Sequence, residues 1–171
     1  LVKKGLRNIL MLQKKQLGAG STGKSSGVLR QFYTHETVVD MARTGIHYYS
    51  NFRELTGTDA DFVCTGFILA GNESNRSILE QGLDIQRKLG INSRLLSKEE
   101  ILELDPKLNL TNVTMGFYEA DAGYADPPAA AQGFVNFARE RGVILKQGVG
   151  VTSIKREMSG VFVLSTNEGQ V

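Results

Sequence analysis

The chain has 171 residues, of which 41% are hydrophobic and 22% are charged, and its formal net charge is +2. This composition is typical of a globular protein, and the balance of 20 basic against 18 acidic residues argues against a nucleic-acid or membrane-surface binder. No apolar run approaches the roughly 20 residues of a membrane span. Cys64 is the single cysteine, which excludes a disulfide within the chain and favours a reducing, cytoplasmic location. We expect the Cys64 thiol to be buried.

Helical and strand-like patterns alternate along the first part of the chain, which indicates a mixed α/β fold. An apolar run predicts a strand over 8–13, and Thr34 can cap a helix that continues to residue 55. A second strand is predicted over 61–70 and a second helix over 73–89. The spacing of apolar residues predicts that the buried face of the first helix consists of Val38, Met41, Ala42, Gly45, Tyr49 and Phe52.

The second part of the chain carries clear helix start signals. Ser97 and Glu100 form a capping-box pattern that predicts a short helix closed by Pro106. Asp126, directly before two prolines, is expected to initiate a helix that runs to residue 141. The remaining apolar runs predict strands over 114–119, 143–146, 150–155 and 161–166.

The loop Gly18–Gly27 matches two phosphate-binding patterns at once. Gly18, Gly20 and Gly23 spell GxGxxG, and the eight residues from Gly18 spell GxxxxGKS, the P-loop pattern. Both need a helix directly after the loop, where Gly27 is unfavourable, and the P-loop also needs a strand that ends in a magnesium-binding aspartate. The sequence contains no such aspartate, but a P-loop nucleotide-binding protein stays an alternative.

A third interpretation uses the order of segments along the whole chain. An apolar strand ending in Gln13-Lys14 is followed by the small-residue loop, by Gly123-Tyr124-Ala125-Asp126-Pro127, and by the segments 141–144, 151–154 and 163–169. This order resembles the flavoprotein family that includes D-amino acid oxidase, glycine oxidase, sarcosine oxidase and dimethylglycine dehydrogenase. The resemblance implies part of a Rossmann-like FAD-binding domain over 1–59 and 127–171, and part of an antiparallel-sheet substrate domain over 60–126.

The resemblance also implies a function. It predicts an FAD-dependent oxidoreductase that oxidises the C–N bond of a small amine or N-methyl amino acid by hydride transfer to flavin N5. It further implies a small amine or amino-acid substrate and a possible partner subunit or oligomer, with no nucleic acid and no metal. A non-catalytic relative that keeps the fold is the remaining alternative.

Individual residues are carried over from the family by position. Arg30 and Tyr33 are implied near the flavin ring and the substrate. Gln13 replaces a glutamate that usually accepts hydrogen bonds from the ribose hydroxyls, and Lys24 replaces the histidine that binds FAD covalently in dimethylglycine dehydrogenases, which implies a non-covalent flavin. The implied flavin contacts are Gln13, Lys14, Gly20, Ser21, Thr22, Ser25, Ser26, Gly27, Val28, Leu29 and Val151.

The start of the chain bears on cofactor affinity. Lys3-Lys4-Gly5 is typical of the end of a helix. In the family, the first strand and its GxGxxG turn would precede Leu1 by about 25 to 30 residues. We therefore expect that these 171 residues are an internal fragment that binds FAD weakly or not at all by itself.

Overall fold

The computed structural model describes residues 1–171 and has a mixed α/β fold, as predicted. The strands are β1 Leu10–Gln13, β2 Val28–Leu29, β3 Val63–Cys64, β4 Phe67–Gly71, β5 Ser93–Ser97, β6 Met115–Glu119, β7 Gly123–Tyr124, β8 Ile144–Gln147, β9 Val151–Arg156, β10 Phe162–Thr166 and β11 Gly169–Gln170. The α-helices are α1 Glu36–Ser50, α2 Phe52–Thr56, α3 Arg76–Lys88, α4 Lys98–Leu104 and α5 Pro127–Arg139. Short 3-10 helices lie at Val2–Lys4, Thr22–Lys24 and Glu73–Asn75. No helix combines the length and the apolar character needed to cross a membrane.

The chain divides into two compact units. The first unit contains residues 1–25, 56–60 and 126–171, and the second contains residues 26–55 and 61–125. This division does not identify which unit binds the cofactor and which binds the substrate. The predicted cofactor domain over 1–59 and 127–171 and the predicted substrate domain over 60–126 therefore stay predictions.

The first unit contains a parallel pair of strands and an antiparallel meander. β1 pairs with β8 in parallel, and β9, β10 and β11 form a three-stranded antiparallel sheet. Helix α5 begins where predicted, because the Asp126 carboxylate accepts a hydrogen bond of 3.0 Å from the Ala129 N–H. The chain reverses at Asn167-Glu168, and Gly169, at the start of the short strand β11, pairs with Thr166.

The second unit contains two three-stranded antiparallel sheets, ordered β2-β7-β3 and β4-β6-β5. Helix α4 carries the predicted capping box, in which the Glu100 N–H donates to Ser97 Oγ at 3.2 Å and the Ser97 N–H donates back to Glu100 Oε2 at 2.8 Å. One buried core cluster consists of Phe32, Leu79, Leu83, Met115 and Phe117. A second consists of Leu96, Ile101 and Leu110.

The prediction of one helix over 34–55 was wrong in three respects. The N-cap is His35 rather than Thr34, and the helix breaks at Asn51, whose side chain donates to the His47 carbonyl at 2.8 Å. The predicted buried face was also incorrect at Val38 and Met41, which are 39% and 69% exposed. Val39 and Ile46 are buried in their place. They lie seven residues apart on one helix face. The helix therefore has two apolar faces, and the sequence pattern alone does not decide which of them is buried.

The prediction of one continuous strand over 61–70 was wrong as well. Its two halves, β3 and β4, belong to different sheets. Gly66 separates them with a φ of +72°, and the Tyr118 ring lies where a Cβ on Gly66 would stand, with its Cε2 atom at 2.7 Å. The left-handed backbone and the close ring both require glycine at this position.

Candidate functional site

The glycine-rich loop of the first unit is a compact turn. The Gly23 N–H donates to the Gly18 carbonyl at 2.9 Å, and a Cβ on Gly23 would come within 2.4 Å of that oxygen. The loop continues into the single 3-10 turn Thr22–Lys24 and then into β2. The P-loop alternative is therefore wrong, because a P-loop must open an α-helix whose N-terminus receives the phosphate.

Three consecutive backbone donors of this loop remain available. The N–H groups of Ala19, Gly23, Lys24 and Ser25 bond to nearby backbone carbonyls, whereas those of Gly20, Ser21 and Thr22 have no carbonyl partner. All three residues are exposed. Successive free N–H groups in a turn can donate to an anionic oxygen or to a polar ring. They are the kind of donors that a nucleotide cofactor needs.

Gln13 and Lys14 lie at the end of β1, as the sequence predicted. The Gln13 amide nitrogen donates to the Gln16 carbonyl at 3.3 Å, which orients the side chain with its oxygen as the remaining acceptor. The Gln13 carbonyl accepts from the Val149 N–H at 3.1 Å. The Lys14 stem packs against Gly150. The structure therefore brings Gln13 and Lys14 beside the start of β9, where Val151 is exposed.

In the second unit, the segment Ser26–Leu29 leads into a narrow sheet. Val28 pairs with Tyr124 and Leu29 with Gly123. Gly27 has a φ of +73° and its carbonyl accepts from the Ala125 N–H at 3.0 Å. Gly123 lies in the central strand β7, where a Cβ would come within 2.0 Å of the Val63 carbonyl oxygen. Glycine is thus necessary at this point of the Gly-Tyr-Ala-Asp-Pro motif.

Arg30 and Tyr33 lie together, and their predicted position near a flavin ring stays a prediction. The guanidinium carbon of Arg30 lies 4.7 Å from the centre of the Tyr33 ring and 5.8 Å from that of Phe67. The guanidinium also donates to the Phe32 carbonyl. Arg30 is half-buried and Tyr33 is 37% exposed. The Arg30 guanidinium is therefore fixed in position but still accessible to a ligand. Phe67 was not predicted from the sequence, because no local pattern relates it to Arg30.

Glu119 is a second residue that the sequence analysis missed. Its carboxylate is buried and accepts from the Gln31 N–H at 2.7 Å and from the Gln86 amide nitrogen at 2.5 Å. Burial raises the pKa of the Glu119 carboxyl above its ordinary value, although the N–H donors and the charge of Arg30 act in the opposite direction. The sequence contains a signal for this burial. Side chains alternate between the two faces of a strand, so Glu119 lies on the same face of β6 as Met115 and Phe117.

Two open cavities lie in the second unit. A cavity of 380 Å³ is lined by Gly66, Phe67, Asp105 and Tyr118 among others. A second, of 280 Å³, is lined among others by Gln31, His47, Cys64 and Asp121.

The prediction that Cys64 is buried was wrong: the residue is exposed, because it belongs to the two-residue edge strand β3, and its thiol donates to the Ala120 carbonyl. His47 is exposed in the last turn of α1. The structure contains no group of three or more His, Cys, Asp or Glu residues able to hold a metal ion.

Comparison with known proteins identifies relatives over the whole chain. The model of a protein family described as FAD dependent oxidoreductase matches residues 1–171. The chain is 28% identical over 172 aligned residues to the mitochondrial dimethylglycine dehydrogenase of Rattus norvegicus, covering 100% of this chain and 20% of that protein. It is 24% identical to the mitochondrial pyruvate dehydrogenase phosphatase regulatory subunit of Mus musculus, with the same two coverages.

Solved structures share the fold. The L-proline dehydrogenase of P. horikoshii superposes with a TM-score of 0.90 at 24% identity, over 99% of this chain and 45% of that protein. The glycine oxidase of Geobacillus kaustophilus superposes with a TM-score of 0.81 at 27% identity, over 99% and 47%. The chain thus spans about a fifth of the length of the curated relatives and under half of these two structures.

Proposed function

Because the chain belongs to the family of FAD-dependent oxidoreductases, we propose that the protein carrying it oxidises the C–N bond of a small amine or N-methyl amino acid. The observation that carries this proposal is the position of Arg30, a half-buried cation held between Tyr33 and Phe67 three residues after the cofactor loop. A fixed guanidinium of this kind suits the carboxylate of an amino-acid substrate.

Cofactor binding is proposed for the loop and strand ends of the first unit. The free N–H groups of Gly20, Ser21 and Thr22 would hold polar oxygens of FAD, and the Gln13 amide oxygen would accept from a ribose hydroxyl. Lys14, Ser25 and Val151 are proposed to contact the same cofactor. Contacts from Ser26, Gly27, Val28 and Leu29 stay predictions. The chemistry that FAD supplies when bound is acceptance of a hydride at N5.

The residues of the chain would contribute orientation rather than proton transfer. Arg30 would hold the substrate carboxylate, and the rings of Tyr33 and Phe67 would limit where the guanidinium can point. The fixed charge of Arg30 would further stabilise negative charge that develops nearby during oxidation. The product of amine oxidation is an imine, which water hydrolyses without a dedicated base from this chain. Lys24, in place of a histidine, supports non-covalent cofactor binding.

The experiment is a substrate panel with the purified protein. Absorbance near about 450 nm, typical of a flavin, should bleach anaerobically on addition of one N-methyl amino acid or secondary amine and not on addition of a hydroxy acid. Denaturation should release the flavin, because its attachment is proposed to be non-covalent. A yellow protein that no amine or amino acid bleaches would contradict the proposed substrate class.

A second candidate function is a non-catalytic subunit. Gln13 supports it, because a neutral amide accepts ribose hydrogen bonds less strongly than a carboxylate, and one relative is named as a phosphatase regulatory subunit. A colourless full-length protein that takes up no FAD would favour this candidate. A partner subunit or an oligomer and a cytoplasmic location are further proposals, which size-exclusion chromatography and cell fractionation would test.

A further inference from the structure

Glu119 occupies a position where an acid is costly. It ends β6 on the same face as Met115 and Phe117, both members of a buried apolar cluster, and its own side chain is 0% exposed. Its oxygens accept from neutral N–H groups of Gln31 and Gln86. An apolar side chain of similar volume would usually stabilise such a site better than a carboxylate does. The acid must therefore be explained by what it holds.

Glu119 holds a piece of backbone that has no strand partner. The pairing of β2 with β7 ends at Leu29, so the ladder does not extend to Gln31 and Phe32. The Gln31 N–H donates to the Glu119 carboxylate at 2.7 Å instead. The Glu119 side chain thus takes the place of the missing strand at Gln31, the residue directly before Phe32.

The same two residues determine where Arg30 lies. The Arg30 guanidinium donates to the Phe32 carbonyl and stacks on Tyr33, the next residue along the chain. The Phe32 ring is fixed in the core against Phe117, with the ring centres 4.7 Å apart. Displacement of the backbone at 31–32 would therefore move both the Phe32 carbonyl and the Tyr33 ring, which hold the Arg30 guanidinium.

We propose that Glu119 is a positioning residue: by fixing the backbone at Gln31, and through it that of Phe32, it holds Arg30 in place for the substrate carboxylate. This inference rests on the proposed function, in which Arg30 binds that carboxylate. Gln86 completes the arrangement, because its amide holds the second carboxylate oxygen. Glu119 acts through Arg30 and is not expected to contact the substrate.

The test compares variants of the purified flavoprotein on an N-methyl amino acid that the substrate panel identifies and on its uncharged primary amide. Glu119→Leu, which removes both acceptors, should raise KM for the acid about tenfold, with a smaller change in kcat and little change in KM for the amide. Glu119→Gln should stay within about threefold of the wild type, because its oxygen still accepts from Gln31. The Gln86 amide would turn over, so that its buried oxygen, which lacks a partner, accepts from the new amide group.

Two further variants make the result decisive. Glu119→Asp withdraws the oxygens by one methylene, and it should raise KM for the acid selectively even if Glu119→Leu does not fold. Leu96→Ala controls for general loss of stability, because Leu96 belongs to the other core cluster; it should lower Tm without changing KM.

A double-mutant cycle separates this inference from the proposed function. In an Arg30→Met background, Glu119→Leu or Glu119→Asp should add nothing further to KM for the acid. Additive effects, or equal losses for acid and amide, would overturn the role of Glu119 and leave Arg30 intact. An Arg30→Met variant with unchanged KM for both substrates would overturn the proposed function of Arg30 and the inference with it.

Discussion

The Gln31 main-chain N–H and the Glu119 carboxylate, 88 positions apart in the sequence, are joined by a buried hydrogen bond of 2.7 Å. The bond links the end of β6 to the segment that follows β2, where no strand pairing exists. A buried acceptor of this kind stabilises the segment strongly, because loss of the acceptor leaves a desolvated donor, which costs about 1–3 kcal/mol.

The ionisation of Glu119 should make stability depend on pH. Burial raises the pKa of Glu119 above its ordinary value of 4.5, so its contribution to stability is fully present below that value. The contribution is lost as pH rises through the raised pKa of the folded state. The free energy of unfolding of the wild type should therefore fall relative to that of Glu119→Gln over this range, as measured by denaturant titration at a series of pH values. Parallel pH profiles for the two proteins would refute this.

Gly82 in α3 should not tolerate a methyl group. A Cβ at Gly82 would lie 2.3 Å from the Phe32 ring, and the ring is enclosed by the core. We expect Gly82→Ala to lower the free energy of unfolding by about 1–3 kcal/mol through overpacking. Gly45→Ala is the matched control, since Gly45 is also inside a helix but has no atom within 4 Å of the added Cβ. It should raise stability by about 0.5–1 kcal/mol. Equal effects at the two sites would contradict this packing argument.

Arg30 should be specific for a carboxylate. Arg30→Met should raise KM for an N-methyl amino acid by about 10- to 100-fold, since a hydrogen bond to a charged group contributes about 1.5–3 kcal/mol. KM for the corresponding amide should change much less. Arg94→Met is the control, because Arg94 also lies over a ring, that of Tyr118, but is exposed and paired with Glu100. Steady-state kinetics on both substrates provide the measurement, and an equal response of acid and amide would count against a carboxylate site at Arg30.

Gly23 should be necessary for cofactor binding. A methyl group there would meet the Gly18 carbonyl at 2.4 Å and force the loop open. Opening would misalign the free N–H groups of Gly20, Ser21 and Thr22, so Gly23→Ala should weaken FAD binding about tenfold or more. Flavin content after purification and fluorescence titration of the apoprotein measure the change. Gly45→Ala should keep full flavin content, and normal FAD affinity in Gly23→Ala would exclude this loop as the binding element.

Asp126 should stabilise the start of α5 through its side chain. Removal of the cap in Asp126→Ala should destabilise the protein by about 1 kcal/mol, whereas Asp126→Asn, which retains an acceptor, should have a smaller effect. Thermal unfolding of the two variants provides the comparison. If both variants melt at the same reduced temperature, the negative charge and not the hydrogen bond to Ala129 is responsible.

The sequence was sufficient to predict those elements whose structure is determined by residues that are close together along the chain. The capping box of Ser97 and Glu100, the cap at Asp126, and the strands β6, β8, β9 and β10 follow from residues within a few positions of each other. Such signals act over one helical turn or one strand, so the sequence determines them before any tertiary contact forms. The mixed α/β class and the family relationship also followed from the order of segments.

Tertiary structure decided what depends on distant partners. The exposure of Cys64, the buried face of α1 and the division of 61–70 at Gly66 depend on which surface each element meets. The contacts of Arg30 with Phe67 and of Gln31 with Glu119 join residues far apart in the sequence. Burial and pairing of this kind depend on the tertiary structure. An amphipathic pattern predicts that one side of a helix or strand is buried, but it does not identify the element that packs against that side.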